Sequence, residues 1–170
     1  MVDACAASGS TALVGAPVDG PHIALLAVDG SGVGVAYRKM WLGGPEPGWF
    51  RAGDEPAVLE VDGWRFGLAV CKDTGVPRHA ADTAALGIDA YLAATLKPRD
   101  ESDLQHERAR RIAIGHRVWV AVASFAGSTG EGFTEAAGRS AVWTPDGEIA
   151  ACAGPEVGAV ARATLGVFPR

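Results

Sequence analysis

The stretch from residue 57 to residue 125 constrains the fold more than any other part of the chain. Apolar runs at 57–61 and 64–70 flank Asp62-Gly63, a dipeptide that closes two-residue hairpins. Residues 77–86 have helical character, with Pro77 near the first turn and Gly87 just past the end, the positions those residues favour. An apolar strand at 88–95, a longer helical segment at 100–115 and a further apolar strand at 118–125 complete the series. Ser102-Asp103-Leu104-Gln105 reads as a capping box for the longer helix. Such alternation predicts an α/β fold with helices covering a sheet.

On the amino-terminal side, apolar runs at 12–17 and 22–28 are divided by Asp19-Gly20-Pro21 and read as paired strands. Asp29-Gly30-Ser31-Gly32 then makes a turn into a strand at 33–37. Residues 42–56 are crowded with Gly and Pro and form a long loop, a kind of segment that is often functional. After a second glycine-rich loop at 127–132, strands are predicted at 140–144, 149–152 and 159–165, the first two joined by the turn Pro145-Asp146-Gly147. With 170 residues and neither an internal repeat nor a low-complexity tract, one domain is expected.

Composition removes several classes of function. A chain that is 48% hydrophobic and 21% charged has the balance of a folded soluble protein. Fifteen basic against twenty acidic residues give a net charge of −5, and no basic run could line up against phosphates, so no nucleic-acid partner is expected. Cys5, Cys71 and Cys152 have no C-x-x-C spacing, which points away from a disulfide framework and from structural zinc. The amino terminus has no basic and apolar leader, and no apolar run reaches the roughly 20 residues that cross a bilayer. The expectation is a cytoplasmic protein with reduced thiols and no membrane partner.

Cys71 ends the apolar strand Phe66-Gly67-Leu68-Ala69-Val70 and precedes polar Lys72-Asp73-Thr74-Gly75 and a helix. A nucleophile at a strand-to-helix turn stands at the sheet edge, where backbone N–H groups can hold a developing oxyanion. A buried cysteine acting as a small hydrophobe fits the position equally well. Lys39, in Tyr37-Arg38-Lys39-Met40-Trp41-Leu42, stands where a strand enters the long loop. Near Cys71 its ammonium would stabilise negative charge on an intermediate; alone it reads as a solvated lysine. Trp49 is a candidate to line a pocket, while Trp41, Trp64, Trp119 and Trp143 read as packing residues. His79, His106 and His116 lack metal-ligand spacing and read as solvated or capping residues, so neither a metal nor another cofactor is expected.

Taken in order, these segments resemble the nitrilase superfamily of carbon–nitrogen hydrolases. The resemblance rests on Tyr37-Arg38-Lys39 with Leu42, and on the loop from Gly43 to Asp54. It continues through Gly67-x-x-x-Cys71-x-Asp73 with Pro77, the helix and strand from Arg108 to Gly127, and Gly138-Arg139-Ser140 with Pro145-Asp146-Gly147. It covers about 12–165 of a domain taken as 1–170. It implies an α-β-β-α sandwich in which a cysteine, a lysine and a glutamate hydrolyse a small non-peptide amide, carbamoyl amine or nitrile through a thioester. Catalytic roles would fall to Cys71 and Lys39. Glu46 corresponds to an additional loop glutamate that positions lysine or substrate, and the backbone N–H of Lys72 would meet the oxyanion.

Some positions depart from the family pattern. Lys72 replaces a residue that is commonly aromatic, placing a second cation beside the thiol that could hold an acidic substrate or simply be solvated. Val76-Pro77-Arg78 stands for Phe-Pro-Glu, and Ser124 for a frequent Asn. The family's general-base glutamate lies in a Pro-Glu motif upstream of the lysine, and residues 1–38 contain no Glu. An amino-terminally truncated domain is the expectation, with slowed acylation and deacylation. Its unpaired edges favour homo-oligomers. Two functions therefore stand: an amidase-type hydrolase, or a catalytically impaired relative that binds a ligand or a partner subunit.

Overall fold

In the computed structural model residues 1–130 and 133–166 are described. The chain starts with a short helix, α1 (Val2–Ser8), followed by β1 (Ala12–Val18), β2 (His22–Asp29) and β3 (Gly32–Arg38). These three strands form an antiparallel sheet in chain order. A loop containing a 3-10 turn at Glu46–Gly48 leads to β4 (Val58–Val61) and β5 (Trp64–Val70), the predicted hairpin around Asp62-Gly63. A 3-10 turn, Cys71–Gly75, leads into α2 (Pro77–Ala85), β6 (Ala90–Thr95), α3 (Ser102–His116) and β7 (Trp119–Ser124). Then come β8 (Ala126–Gly127), β9 (Ala136–Ala137), β10 (Ala141–Trp143) and β11 (Ile149–Cys152).

The larger sheet has six strands in the order β11-β10-β7-β6-β5-β4. Strands β5, β6 and β7 run parallel, joined by α2 and α3 as crossovers, and the flanking strands are antiparallel. Alternation along each strand assigns its two faces. Leu68, Val70, Leu92 and Ala94 share one apolar cluster with Leu13, Ile23, Leu25 and Tyr37 of the smaller sheet. Ala69, Tyr91, Ala93, Val120 and Val122 share the other with Ala80 of α2 and with Ala109, Ile112 and Ala113 of α3. The layers are thus small sheet, large sheet, helices, while α1 packs against β2.

Small residues let the helix layer come close. A Cβ at Gly67 of β5 would stand 2.5 Å from Thr83 of α2 and 2.7 Å from Ile88, so a side chain there would push α2 off the sheet. Trp143 fills the far end of this layer, with His106 of α3 packed edge-on against its ring.

Several expectations fail. Helix α1 lies where no element was expected. Residues 159–165 form no strand. The capping box at Ser102 does not form: Glu101 is the N-cap with no side-chain bond, Ser102 Oγ accepts from Arg139, and Gln105 turns into the core. The glycine-rich loop at 127–132 begins inside β8, which pairs with β9, and Glu131 and Gly132 lie outside the described residues. Trp41 is exposed rather than packed, and His79, expected to be solvated or capping, is wholly buried.

Candidate active site

The parallel strands deliver their carboxyl ends to one edge of the large sheet. Strand β5 stops at Val70 because Cys71 takes a φ of +47°, a left-handed conformation that non-glycine residues adopt at a cost of about 1 kcal/mol. The 3-10 turn that follows is tied by the Thr74 hydroxyl donating to the Cys71 carbonyl at 2.8 Å. Cys71 is half-buried, and its thiol donates to the carbonyl of Leu96, just past β6, at 3.4 Å. A strained, non-β-branched residue at a strand-to-helix turn is the arrangement that pushes a nucleophile out of a sheet.

Lys39 follows β3 and is pinned through its backbone, its N–H donating to Ile23 O and its carbonyl accepting from Gly53 N, both at 2.8 Å. Its side chain is only 1% exposed, an unusual state for a lysine. Burial is tolerated because Nζ donates to both carboxylate oxygens of Glu46 at 2.6 Å. Glu46 opens the 3-10 turn of the long loop, and its Oε2 also accepts from Gly43 N–H at 2.8 Å. Lys72 is exposed; its stem lies against Gly43, where an added Cβ would come within 2.9 Å of it. Trp49 is 77% exposed.

Asp73 couples the Lys39 and Cys71 segments. Its Oδ1 accepts from Trp41 N–H at 2.9 Å, two residues beyond Lys39, and its Oδ2 from Val70 N–H at 2.8 Å, one residue before Cys71. Tyr37 Oη adds a further donor to Oδ2 at 2.8 Å, and Met40 and Cys71 join the same apolar cluster. Burial pushes the Asp73 carboxyl above the usual range, opposed by His79 and by these donors. Desolvation, with Asp73 beside it, raises the Tyr37 hydroxyl well above its ordinary value, and desolvation lowers His79.

Along the same edge, Thr95 of β6 and Ser124 of β7 are register partners. Both hydroxyls reach Oε1 of Gln105, at 2.6 and 3.3 Å. Gln105 Nε2 is buried without a partner among the described residues. No cluster of His, Cys, Asp and Glu able to hold a metal occurs among the described residues, nor a helix long and apolar enough to cross a membrane. From sequence, Tyr37 and Asp73 stand only inside the quoted motifs, His79 reads as solvated or capping, Gln105 reads as part of a capping box, and Tyr91 has no role beyond its strand. Of these, Tyr91 is visible as a polar group in an apolar run, whereas His79, next to Arg78 and close to Asp82, carries no such signal.

The family profile for carbon-nitrogen hydrolases matches residues 22–166, a span that includes every group just described. The chain belongs to the carbon–nitrogen hydrolase family. This member of it is 31% identical over 155 residues to a Pseudomonas protegens protein described as "Hydrolase in pqqF 5'region", covering 87% of this chain and 54% of that one. Its structure is similar to NitN amidase from Nesterenkonia sp. AN1, with a TM-score of 0.76 and 28% identity over 85% of this chain and 57% of the other. A variant of the Nesterenkonia amidase carrying acrylamide added at its active site cysteine gives a TM-score of 0.77 at 28% identity, again over 85% and 57%. The chain thus spans about half the length of the relatives it matches. These matches place the mixed α/β architecture in the nitrilase superfamily.

Proposed function

We propose that this chain carries the nucleophile half of an amidase-type carbon–nitrogen hydrolase site acting on a small non-peptide amide, carbamoyl amine or nitrile. The observation that carries the proposal is the buried Lys39–Glu46 pair, coupled through Asp73 to the strained turn at Cys71. An ammonium kept out of water acts strongly on any charge that develops beside it.

The Cys71 sulfur would attack the carbonyl carbon, and the negative charge on oxygen would be met by Lys39 and the backbone N–H of Lys72. With an amide or carbamoyl amine, collapse of the tetrahedral intermediate breaks the C–N bond, the nitrogen leaves as ammonia or an amine with the proton given up by the Cys71 thiol, and a thioester remains. A nitrile would first add the thiol across its C≡N bond and consume one further water to reach the same thioester with release of ammonia. Water then cleaves the thioester to a carboxylic acid and restores the thiol. Glu46 holds Lys39 in place. Lys72 and Trp49 stand on the solvent side, where they would meet the substrate's remaining group.

The choice of a small amide is supported by the Nesterenkonia amidase, variants of which were solved with butyramide and with acrylamide or the acetamide moiety of fluoroacetamide attached to the cysteine. A second reading, a catalytically impaired protein that binds a ligand or a partner, is favoured by one observation. Among the described residues, the thiol's hydrogen-bond partner is the Leu96 carbonyl, which cannot accept a transferred proton as a carboxylate would. Val33 and Val35, exposed on the outer strand β3, support association of copies in a cytoplasmic setting.

Incubation with fluoroacetamide, followed by peptide mass measurement and an assay for released ammonia across a panel of amides, separates the readings. Ammonia release from the panel, together with an acetamide adduct on Cys71 formed as fluoride leaves, supports the hydrolase. An adduct without turnover supports the impaired protein, and labelling of Cys152 alone defeats both.

A further inference from the structure

Behind the Cys71 turn four buried side chains from four different elements form one hydrogen-bonded line. Tyr37 is the penultimate residue of β3, Asp73 lies in the 3-10 turn, His79 in α2 and Tyr91 in β6, and each is no more than 2% exposed. Tyr37 Oη lies 2.8 Å from Asp73 Oδ2 and 2.9 Å from His79 Nε2, and His79 Nδ1 lies 2.9 Å from Tyr91 Oη.

The protons along this line can be assigned by elimination. An ionised carboxylate only accepts, so the single proton of the Tyr37 hydroxyl is committed to Asp73. The Tyr37 oxygen already accepts from Met40 N–H at 3.1 Å, and the contact with His79 requires Nε2 to be a second donor. A neutral imidazole carries one N–H, so Nδ1 is an acceptor and the Tyr91 hydroxyl donates to it. Donation therefore runs in one direction, from Tyr91 to His79 to Tyr37 to Asp73, and every group in it is used. The line ends on the carboxylate that clamps the N–H groups of Trp41 and Val70, neighbours of Lys39 and Cys71.

We infer that His79 and Tyr91 are positioning residues, which fix the direction of the Tyr37 hydroxyl so that Asp73 keeps the Lys39 and Cys71 segments in register. This rests on the proposed role of Cys71 and Lys39. Neither His79 nor Tyr91 touches the thiol; they act from the helix side of the sheet through Asp73. Tyr91 reinforces the imidazole tautomer that Tyr37 requires, because its hydroxyl donates to Nδ1 and so favours the proton on Nε2. Without that donor Nδ1 is left buried and unpaired, the imidazole is held from one side only, and the Asp73 clamp would gain a second arrangement.

The test uses acrylamide as a thiol probe, with peptide-resolved labelling rates for Cys71 and for Cys152, an exposed thiol on the far edge strand β11. Wild type, Tyr91→Phe, His79→Leu and His79→Gln are compared well below their unfolding temperatures. In wild type Cys71 should label faster than Cys152. Tyr91→Phe and His79→Leu should lower that ratio by about fivefold, the scale of one hydrogen bond, whereas His79→Gln, whose amide can donate to Tyr37, should recover most of it. Variants that melt earlier but keep the wild-type ratio would reduce the line to a stability element and overturn the inference alone. A wild-type Cys71 that labels no faster than Cys152 would remove the proposed role of Cys71 and the inference with it.

Discussion

Two carboxylate–cation pairs in this molecule use nearly the same chemistry in opposite surroundings. Lys39 and Glu46 meet with the lysine 1% and the glutamate 27% exposed, while Arg99 and Glu135 meet with both partners about two-thirds exposed, at 64% and 67%. The first pair lies between sheet and loop and cannot be replaced by water. The second is fully hydrated on both sides. An ion pair therefore informs about function here through what it would leave behind if broken, since a surface pair leaves two solvated charges and the inner pair leaves a stranded ammonium.

Truncating the inner partner should have the largest effect. Glu46→Ala leaves Lys39 buried without its carboxylate and Gly43 N–H without an acceptor. A loss of about 3 kcal/mol is expected, at the low end for a buried pair because Glu46 keeps some solvent contact. The urea midpoint of unfolding should fall accordingly with an unchanged slope. Lys39→Met should cost clearly less, since the remaining carboxylate can turn toward water. Equal costs for the two variants would mean that the ammonium is not stranded, and the contrast between inner and outer pairs would lose its basis.

Asp73→Ala comes next, with about 2 kcal/mol expected from three donors that lose their common acceptor. Its effect should be local. Hydrogen exchange should rise at the amides of Val70 and Trp41 before it rises in α3, and uniform exchange across the chain would contradict the clamp.

How much of this was legible in the sequence differs between frame and site. The hairpin at Asp62-Gly63 and the strand-helix alternation around Cys71 could be read because turn chemistry and period are local properties. Helix α1 was missed because a helix of this length has little propensity of its own and forms by packing against β2. Residues 159–165 carry alternating apolar side chains, yet a strand also needs a ladder partner, and pairing is not encoded in spacing. Within the site, Lys39, Glu46 and Cys71 were singled out by motif. The polar line through His79 was invisible because spacing along a chain says nothing about which side chains meet behind a sheet. Gln105 was assigned to a cap that its own burial rules out.

A smaller effect separates the wholly buried histidine from the partly buried ones. Burial holds His79 below its ordinary value, so on acidification the unfolded chain takes up a proton at this residue before the folded one does. Stability from this group is therefore complete above about pH 6.5, and it falls as pH drops from there toward the depressed value. In His79→Gln the pH dependence of the unfolding midpoint in that window should flatten, although the variant is less stable overall at neutral pH. An undiminished slope would assign the acid sensitivity elsewhere, with His116, which burial also lowers, as the next group to replace.

The outer pair supplies the smallest expected effect and the control for all the others. Arg99→Ala removes the bond to Glu135 at 3.2 Å, but both side chains already meet water and the geometry is a single contact. Less than about 0.5 kcal/mol should be lost, and raising salt to about 1 M, which screens exposed charges over roughly 3 Å, should abolish even that. The same salt should hardly change the cost of Glu46→Ala, because the Lys39 ammonium is out of reach of mobile ions. If salt relieved both variants alike, Lys39 would have to be far better hydrated than its burial indicates, and its reading as a charge reserved for chemistry beside Cys71 would give way to that of an ordinary surface lysine.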